Sequence, residues 1–577
     1  MKFNQEDASN YTRWTIFREI HDLATSKITS HGSHLQKFRG VPGFKNHGQI
    51  DERMLEEIAP GQDHGFTSTD GGHAIGTVIS YGSTPDIFKF HFVVGNVYDV
   101  VQQVKVGKYI CVKENNGLVI GQIANIVKIN EYFLNASTLK ESKPQANFTS
   151  IFPVDQWEYV LAEVNVMGFY PAFDESSKSF DRTLTIEKSI TPVSPGSIVA
   201  SMDASLLERF LGFNATSGLH LGNMDVDDVE VTIDLPKLVQ KHLAILAMSG
   251  AGKSYLISVL LEEIIKSRSP MPPIIIVDTH GEYTAMFNAS RVEERFPDFH
   301  VDIVGGSYIQ IGTPLLGATS FFNYMPSMSP VQGRDLIRIF TELRASKKKF
   351  DIRDLVAAIQ ADDKLGKKTK EALEGWLYQL EQYGMFSSEE FPRINEMLKP
   401  NTIIILDLSS LTSSKQKQII VDYVASRAFY LRKSRAVPPF LLVLEEAHQF
   451  VPQAAAENAI ARHTLETIAR EGRKFFAALC LISQRPVNLN TTVLSQCNTQ
   501  IIMRVSNPND LDHIRAASEK ITADALRMIS SLPVGSGIIV GSAVNVPVFF
   551  KVRAREFMVD GKECGFMEEL AAFAKPA

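Results

Sequence analysis

The chain has 577 residues, 44% apolar and 21% charged, an ordinary globular composition long enough for more than one domain. Its formal net charge of −6 excludes nucleic-acid binding by bulk attraction, so any such contact needs a local basic surface. Cys111, Cys480, Cys497 and Cys564 have no paired spacing, which argues against a disulfide framework and against a zinc site.

The N-terminus shows no signal-peptide pattern, and no uncharged apolar run approaches the roughly 18 residues of a membrane helix. The expected location is the cytoplasm, with no membrane partner. Residues 1–73 form an extension with little periodicity. Within it Tyr11–Ser26 fits one helix, because Trp14, Ile16, Phe17, Ile20 and Leu23 recur near helical spacing. His31 and His34 stand three apart, but without further ligands beside them they fall short of a metal site.

From residue 74 to 200 the texture changes. Short β-branched or aromatic runs (I-G-T-V-I-S-Y-G, F-K-F-H-F-V-V-G, K-Y-I-C-V-K, V-I-G-Q-I-A-N-I-V-K-I) are punctuated by Gly82, Gly95, Gly107 and Asn115-Asn116-Gly117. That spacing predicts a small all-β barrel or sandwich. It carries no catalytic constellation. Met202–Asn223 reads as a connector with one helix, Ala204–Leu211.

Strands and helices then alternate. Leu243–Met248, Ile274–Asp278, Ile403–Leu408, Phe440–Glu445, Ala477–Ser483 and Gln500–Val505 are continuously apolar, as strands covered on both faces should be. The sheet is therefore expected to be mostly parallel. A helical insertion at 330–399 interrupts it and carries R-A-S-K-K-K (344–349) and K-L-G-K-K-T-K (364–370). Such clusters are solvated helix faces or DNA contacts. Gly537–Gly541 and Val546–Arg553 predict a final hairpin, and 556–577 a tail. The core thus divides into 201–329 and 400–555.

The chemistry begins at Lys241–Leu261. An apolar strand, the turn Ser249-Gly250-Ala251-Gly252 and a helix opened by Lys253, Ser254 and Tyr255 make the context of a phosphate-binding loop. Glycines let backbone N–H groups converge on phosphate oxygens, and the helix N-terminus adds its dipole. Lys253 would reach the β- and γ-phosphates, and the Ser254 hydroxyl would sit on Mg²⁺. Ala247 stands where the usual pattern has glycine. The competing reading, a plain glycine turn, leaves the Gly-Lys-Ser at a strand-to-helix junction without a reason.

P-F-L-L-V-L-E-E-A-H delivers two adjacent carboxylates to a strand end, where ligands of open α/β sheets bind. Glu445 would hold the metal's water shell, and Glu446 would orient and deprotonate the attacking water. Surface glutamates past a strand end are the alternative. Gln484 ends another strand at the same edge and could sense the γ-phosphate. Asp278, with His280 and Glu282 close by, ends a third. A cation for the γ-phosphate, from this or another subunit, is expected among Arg470, Arg473 and Arg504.

Taken together, the ordered series I-L-A-M-S-G-A-G-K-S, V-D-T-H-G-E-Y, V-L-E-E-A-H, R-E-G-R-K-F, I-S-Q-R-P and L-S-Q-C-N-T-Q-I-I-M-R resembles the HerA-type ATPases, of the HerA/FtsK group of hexameric DNA-pumping motors. I-G-T-V-I-S, V-G-K-Y-I-C-V and V-I-G-Q-I resemble that family's N-terminal barrel, so the likeness spans about 74–555. It implies a RecA-like P-loop α/β sheet with a helical insertion behind a small all-β barrel. It implies a homo-hexamer with ATP and Mg²⁺ at subunit interfaces and double-stranded DNA in the channel. It also implies an effector, a nuclease or other defence enzyme, expected to dock on barrel edges and loops. By position, Lys253 and Ser254 bind phosphate and Mg²⁺, Glu446 is the catalytic carboxylate and Gln484 the sensor. Lys241-His242 stands where the family often has Arg-His with a trans-acting arginine, and lysine brings the charge without the planar fork. An ATP-gated scaffold that switches an effector on shares every motif. A small-molecule P-loop enzyme fits less well, since no acceptor-pocket motif follows the loop.

Overall fold

The computed structural model describes residues 73–558 apart from 96–103, 115–116, 131–157, 172, 175–178, 181–185, 268–269, 291, 326–327, 455–458, 519–520 and 522. The expected helix at Tyr11–Ser26, His31, His34, Cys564 and most of the tail lie outside them.

Six strands close into an antiparallel barrel: β1 (Ala74–Ile79), β2 (Lys89–Val94), β3 (Tyr109–Glu114), β4 (Gly117–Asn130), β5 (Glu158–Pro171) and β6 (Ile198–Ser201). The order is β1-β2-β5-β4-β3-β6, and Val78 closes the ring by bonding Ser197 and Gly196. Alternate residues such as Phe90, Phe92, Ile110, Val112, Val119 and Val164 fill its interior. The expected free edges are therefore corrected: closure removes them, and β4 and β5 run 14 residues each. The outer face of β3 and β4 is also committed. Tyr109, Leu118 and Ile120 pack with Phe210 and Leu221, and the Tyr109 hydroxyl donates to Pro547 O at 3.1 Å.

Helix α1 is Ala204–Leu211, capped by Asp203 and stopped by left-handed Gly212. The main sheet follows: β7 (Leu219–Met224), β8 (Glu230–Ile233), β9 (Leu243–Leu246), β10 (Ile274–Asp278), β11 (His300–Gly305), β12 (Thr402–Asp407), β13 (Phe440–Leu444), β14 (Ala477–Ser483), β15 (Thr499–Met503), β16 (Ser536–Gly541) and β17 (Val548–Val552). Its order is β8-β7-β17-β16-β15-β9-β14-β13-β10-β12-β11. From β15 to β11 every pairing is parallel, and from β15 to β8 every pairing is antiparallel. The expected hairpin thus extends the sheet, and the connector supplies β7 to it.

Helices cover both faces. Helix α2 (Lys253–Lys266) packs on one face with α1. On the other lie α3 (Pro330–Ser346), α4 (Ile352–Ala361) and α5 (Lys367–Glu381) of the insertion, then α6 (Ser414–Lys433) and α7 (Arg462–Phe475). The insertion's basic residues are largely spent within the chain. Lys347 pairs with Asp354 at 2.6 Å, Lys349 with Glu389, and Lys367 with Glu371 at 3.9 Å, while Lys370 donates to Gln360 O. Lys347 and Lys349 follow the end of α3, and Lys367 and Lys370 stand in the first turn of α5. No described helix is long and apolar enough to cross a membrane.

Candidate nucleotide site

Strand β9 is buried throughout and ends at the loop. Ala247 N–H donates to Ser483 O and Met248 N–H to Arg504 O, which ties the loop to β14 and to the residue after β15. Ala247 thus continues a strand ladder, where alanine is at no disadvantage to glycine. Gly250 (φ 73°) and Gly252 (φ 101°) take left-handed conformations that a side chain would strain. Gly252 begins α2 and no side chain caps it, so the first-turn N–H groups remain for an anion.

Lys253 is buried, and its Nζ lies 3.1 Å from Glu446 Oε1. Glu446 has a left-handed backbone (φ 48°, ψ 48°), uncommon for a residue with a side chain. Four groups converge on its carboxylate. Besides Lys253, Gln484 Nε2 donates to Oε1 at 2.6 Å, Gln484 N–H lies 3.5 Å from Oε2, and His448 Nδ1 lies 3.2 Å from Oε2. Burial pushes this carboxyl up, but His448 and Lys253 outweigh it and hold it at about 2. His448 Nδ1 is also 3.2 Å from Ser483 Oγ.

Glu445 behaves oppositely. Its Oε2 accepts from Thr279 N–H at 2.8 Å and Thr279 Oγ1 at 3.0 Å, while Oε1 is buried with no hydrogen-bond partner. Burial first, then the nearby Asp278 carboxylate, pushes it up to about 8. The Ser254 hydroxyl donates to Glu282 Oε2 at 2.6 Å. A cation suits this set. Mg²⁺ needs only one or two protein oxygens beside phosphates and water, and an orphaned acidic oxygen and a hydroxyl are what the chain offers. No group of three acidic, His or Cys ligands that could hold a metal alone occurs among the described residues.

Asp278 does not join them. Strand β10 is separated from β9 by β14 and β13. Both oxygens of Asp278 are taken, Oδ1 by Gly281 N–H and Oδ2 by Thr284 N–H and Oγ1, so it caps a turn.

The cationic candidates separate into two places. Arg504 stays beside the phosphate loop of its own chain, with Nε buried and unpaired. Lys241, Arg470 and Arg473 gather instead with Lys474 around a cavity of about 490 Å³ at the N-terminal ends of β9 and β14, the opposite edge of the sheet. His242 fixes this wall. It is buried and left-handed (φ 61°), Nδ1 accepts from Leu479 N–H at 3.0 Å, and Nε2 lies 3.0 Å from Ala469 O. With Nδ1 accepting, Nε2 carries the proton and donates. The sequence names Glu282 only as a neighbour of Asp278 and His242 only beside Lys241, and it gives no part to His448. His448 stands two residues after Glu446, and this nearness was the one signal available.

Residues 219–428 match the family model described as the central domain of the helicase HerA. The chain is 28% identical over 492 residues to a probable helicase of Methanocaldococcus jannaschii, covering 80% of this chain and 89% of that one. It is 25% identical over 511 residues to the DNA double-strand break repair helicase HerA of Pyrococcus furiosus, covering 78% and 88%. Among solved structures, VirB4 of Thermoanaerobacter pseudethanolicus aligns with a TM-score of 0.46 at 17% identity, over 60% of this chain and 99% of that one. With a phosphate loop and a strand-end glutamate pair, the chain is a P-loop ATPase whose sequence is similar to the HerA helicases along most of its length.

Proposed function

We propose that the protein is an ATP-hydrolysing motor that assembles as a closed ring of six, binds or moves double-stranded DNA, and works with an effector such as a nuclease in DNA-end processing or anti-phage defence. One observation carries the ring. The phosphate loop and both glutamates occupy the C-terminal edge of the sheet, while Lys241, Arg470 and Arg473 line a cavity at the N-terminal edge. One chain cannot bring these together, and a ring of identical chains can.

The proposed chemistry is water attack on the γ-phosphorus. The bond from that phosphorus to the bridging oxygen breaks, ADP leaves, and Glu446 receives the water's proton. Near pKa 2 Glu446 is a poor base. When Lys253 turns its charge to the phosphates, the carboxylate loses one of the cations that hold it down and becomes more basic. Gln484, bonded to Glu446, would register the γ-phosphate. Ser254 and Glu445 would hold Mg²⁺, which neutralises charge building on the phosphate oxygens.

The effector reading rests on the barrel's outer surface. Phe88 is 60% exposed and Ile190 84%, large apolar side chains left in solvent on the barrel. The direct test of the motor is ATP turnover and particle mass with and without duplex DNA. A six-chain particle whose turnover rises with duplex DNA is expected. A monomer whose turnover ignores DNA would contradict the proposal.

A further inference from the structure

The phosphate loop divides the sheet edge in two. On one side β14 and β13 deliver Gln484, Glu446 and Glu445, which face the γ-phosphate end. A nucleotide lying across the loop therefore carries its base the other way, toward β15, β16 and β17. Strand β17 is antiparallel to β16, itself antiparallel to β15, so the C-terminal end of β17 reaches the same edge as the loop. Gly535 joins the two: its N–H donates to Ala251 O at 3.1 Å, and its O accepts from Val552 N–H at 2.9 Å.

The segment after β17 is bonded along α2. Fully buried Glu262 accepts the N–H groups of Glu556, Phe557 and Met558 at 3.0, 2.9 and 2.7 Å. The Arg553 guanidinium pairs with Glu262 at 3.0 Å and Glu263 at 2.6 Å. This clamp sets Arg555 against Tyr255. The guanidinium lies 4.3 Å from the ring centroid, and Arg555 N–H donates to the tyrosine hydroxyl at 3.0 Å. Tyr255 directly follows Ser254 in the first turn of the helix, and both side chains are only partly buried.

A guanidinium plane over a phenol ring offers flat π-surface at the point where the nucleoside leaves the loop. Stacking reads the face of a base rather than its edges, and it is stronger for larger rings. We infer that Tyr255 and Arg555 form the shelf on which the base of the nucleoside triphosphate stacks, so that the site prefers purines to pyrimidines with little choice between adenine and guanine. The inference rests on reading residues 249–254 as the phosphate site.

Competition against a fluorescent ATP analogue on the full-length protein separates the two. The competitors are ATP, GTP, CTP and inorganic tripolyphosphate, the last having phosphates and no base. Wild type should bind ATP and GTP alike and CTP more weakly, and tripolyphosphate should still compete. Arg555→Ala should weaken ATP and GTP about tenfold while leaving tripolyphosphate unchanged. Arg555→Lys keeps the charge but not the plane and should behave similarly, which excludes a phosphate contact. Equal losses for ATP and tripolyphosphate, an unchanged preference for ATP over CTP, or full affinity in Arg555→Lys would overturn the shelf. Failure of tripolyphosphate to compete with wild type would overturn the phosphate-site reading beneath it.

Discussion

Lys253 Nζ and Glu446 Oε1 stand 3.1 Å apart with both side chains almost withdrawn from solvent, 193 positions apart in sequence. The residue proposed to meet the phosphates and the residue proposed to activate water are thus one ion pair, so nucleotide arrival would perturb the proposed base.

The first consequence concerns Glu446→Gln. It keeps the shape and removes the base, so nucleotide binding should persist while turnover falls on the order of 10²- to 10⁴-fold. Single-turnover hydrolysis measured alongside nucleotide binding checks this. Turnover at the wild-type rate would shift the role to Glu445.

His448 gives a second. Its hydrogen bond and the Lys253 charge together hold the Glu446 carboxyl down against burial. Replacing His448 with alanine should let the Glu446 pKa rise, so the acid limb of the kcat/KM profile should move to higher pH. A pH–rate profile with an unmoved acid limb would assign His448 to Ser483 instead.

Glu445 predicts a pH dependence of stability. Its folded pKa is raised above the unfolded carboxylate value, to about 8, so the folded state holds that proton more tightly. Its contribution is fully present below the unfolded pKa and is lost as pH rises toward about 8. Glu445→Gln should therefore raise Tm at pH 8 relative to wild type, with little difference at pH 5. Thermal melts without divalent cation read this directly, and a variant less stable than wild type at pH 8 would refute it.

His242 has the opposite slope. Burial lowers its pKa to about 4, with the Ala469 carbonyl a smaller opposing influence. Stability should fall as pH drops from about 6.5 toward 4, because the unfolded imidazole takes a proton the folded one refuses. His242→Gln should flatten that part of the stability profile, at the cost of one buried hydrogen bond of about 1–3 kcal/mol. An unchanged slope would show that other groups set it.

How much of this was legible follows from physics. Strands such as Ile274–Asp278 and Ala477–Ser483 are buried on both faces, so a continuous apolar run reveals them without any partner. Edge strand β11 escapes such a reading because H-V-D-I-V-G is exposed or half-buried throughout and so carries no such run. Strand β7, with glycine, histidine and asparagine inside, reads as part of the connector. Lys253 and Glu446 announce themselves by local motif, whereas Glu282 acquires its role only because folding brings it 2.6 Å from the Ser254 hydroxyl. The sequence marks the barrel as a domain of its own, and nothing in Tyr109 itself foretells its bond to Pro547.

The central claim is that each site is completed by the neighbouring chain, and mixed rings test it most directly. Neither Glu446→Gln nor Arg473→Ala should hydrolyse ATP efficiently alone. Mixed together, some interfaces pair an intact Glu446 with an intact Arg473 from the adjacent chain. The account predicts that mixing restores turnover well above the sum of the separate variants. Turnover of the mixture equal to that sum, with mixed rings shown by mass to have formed, would contradict it.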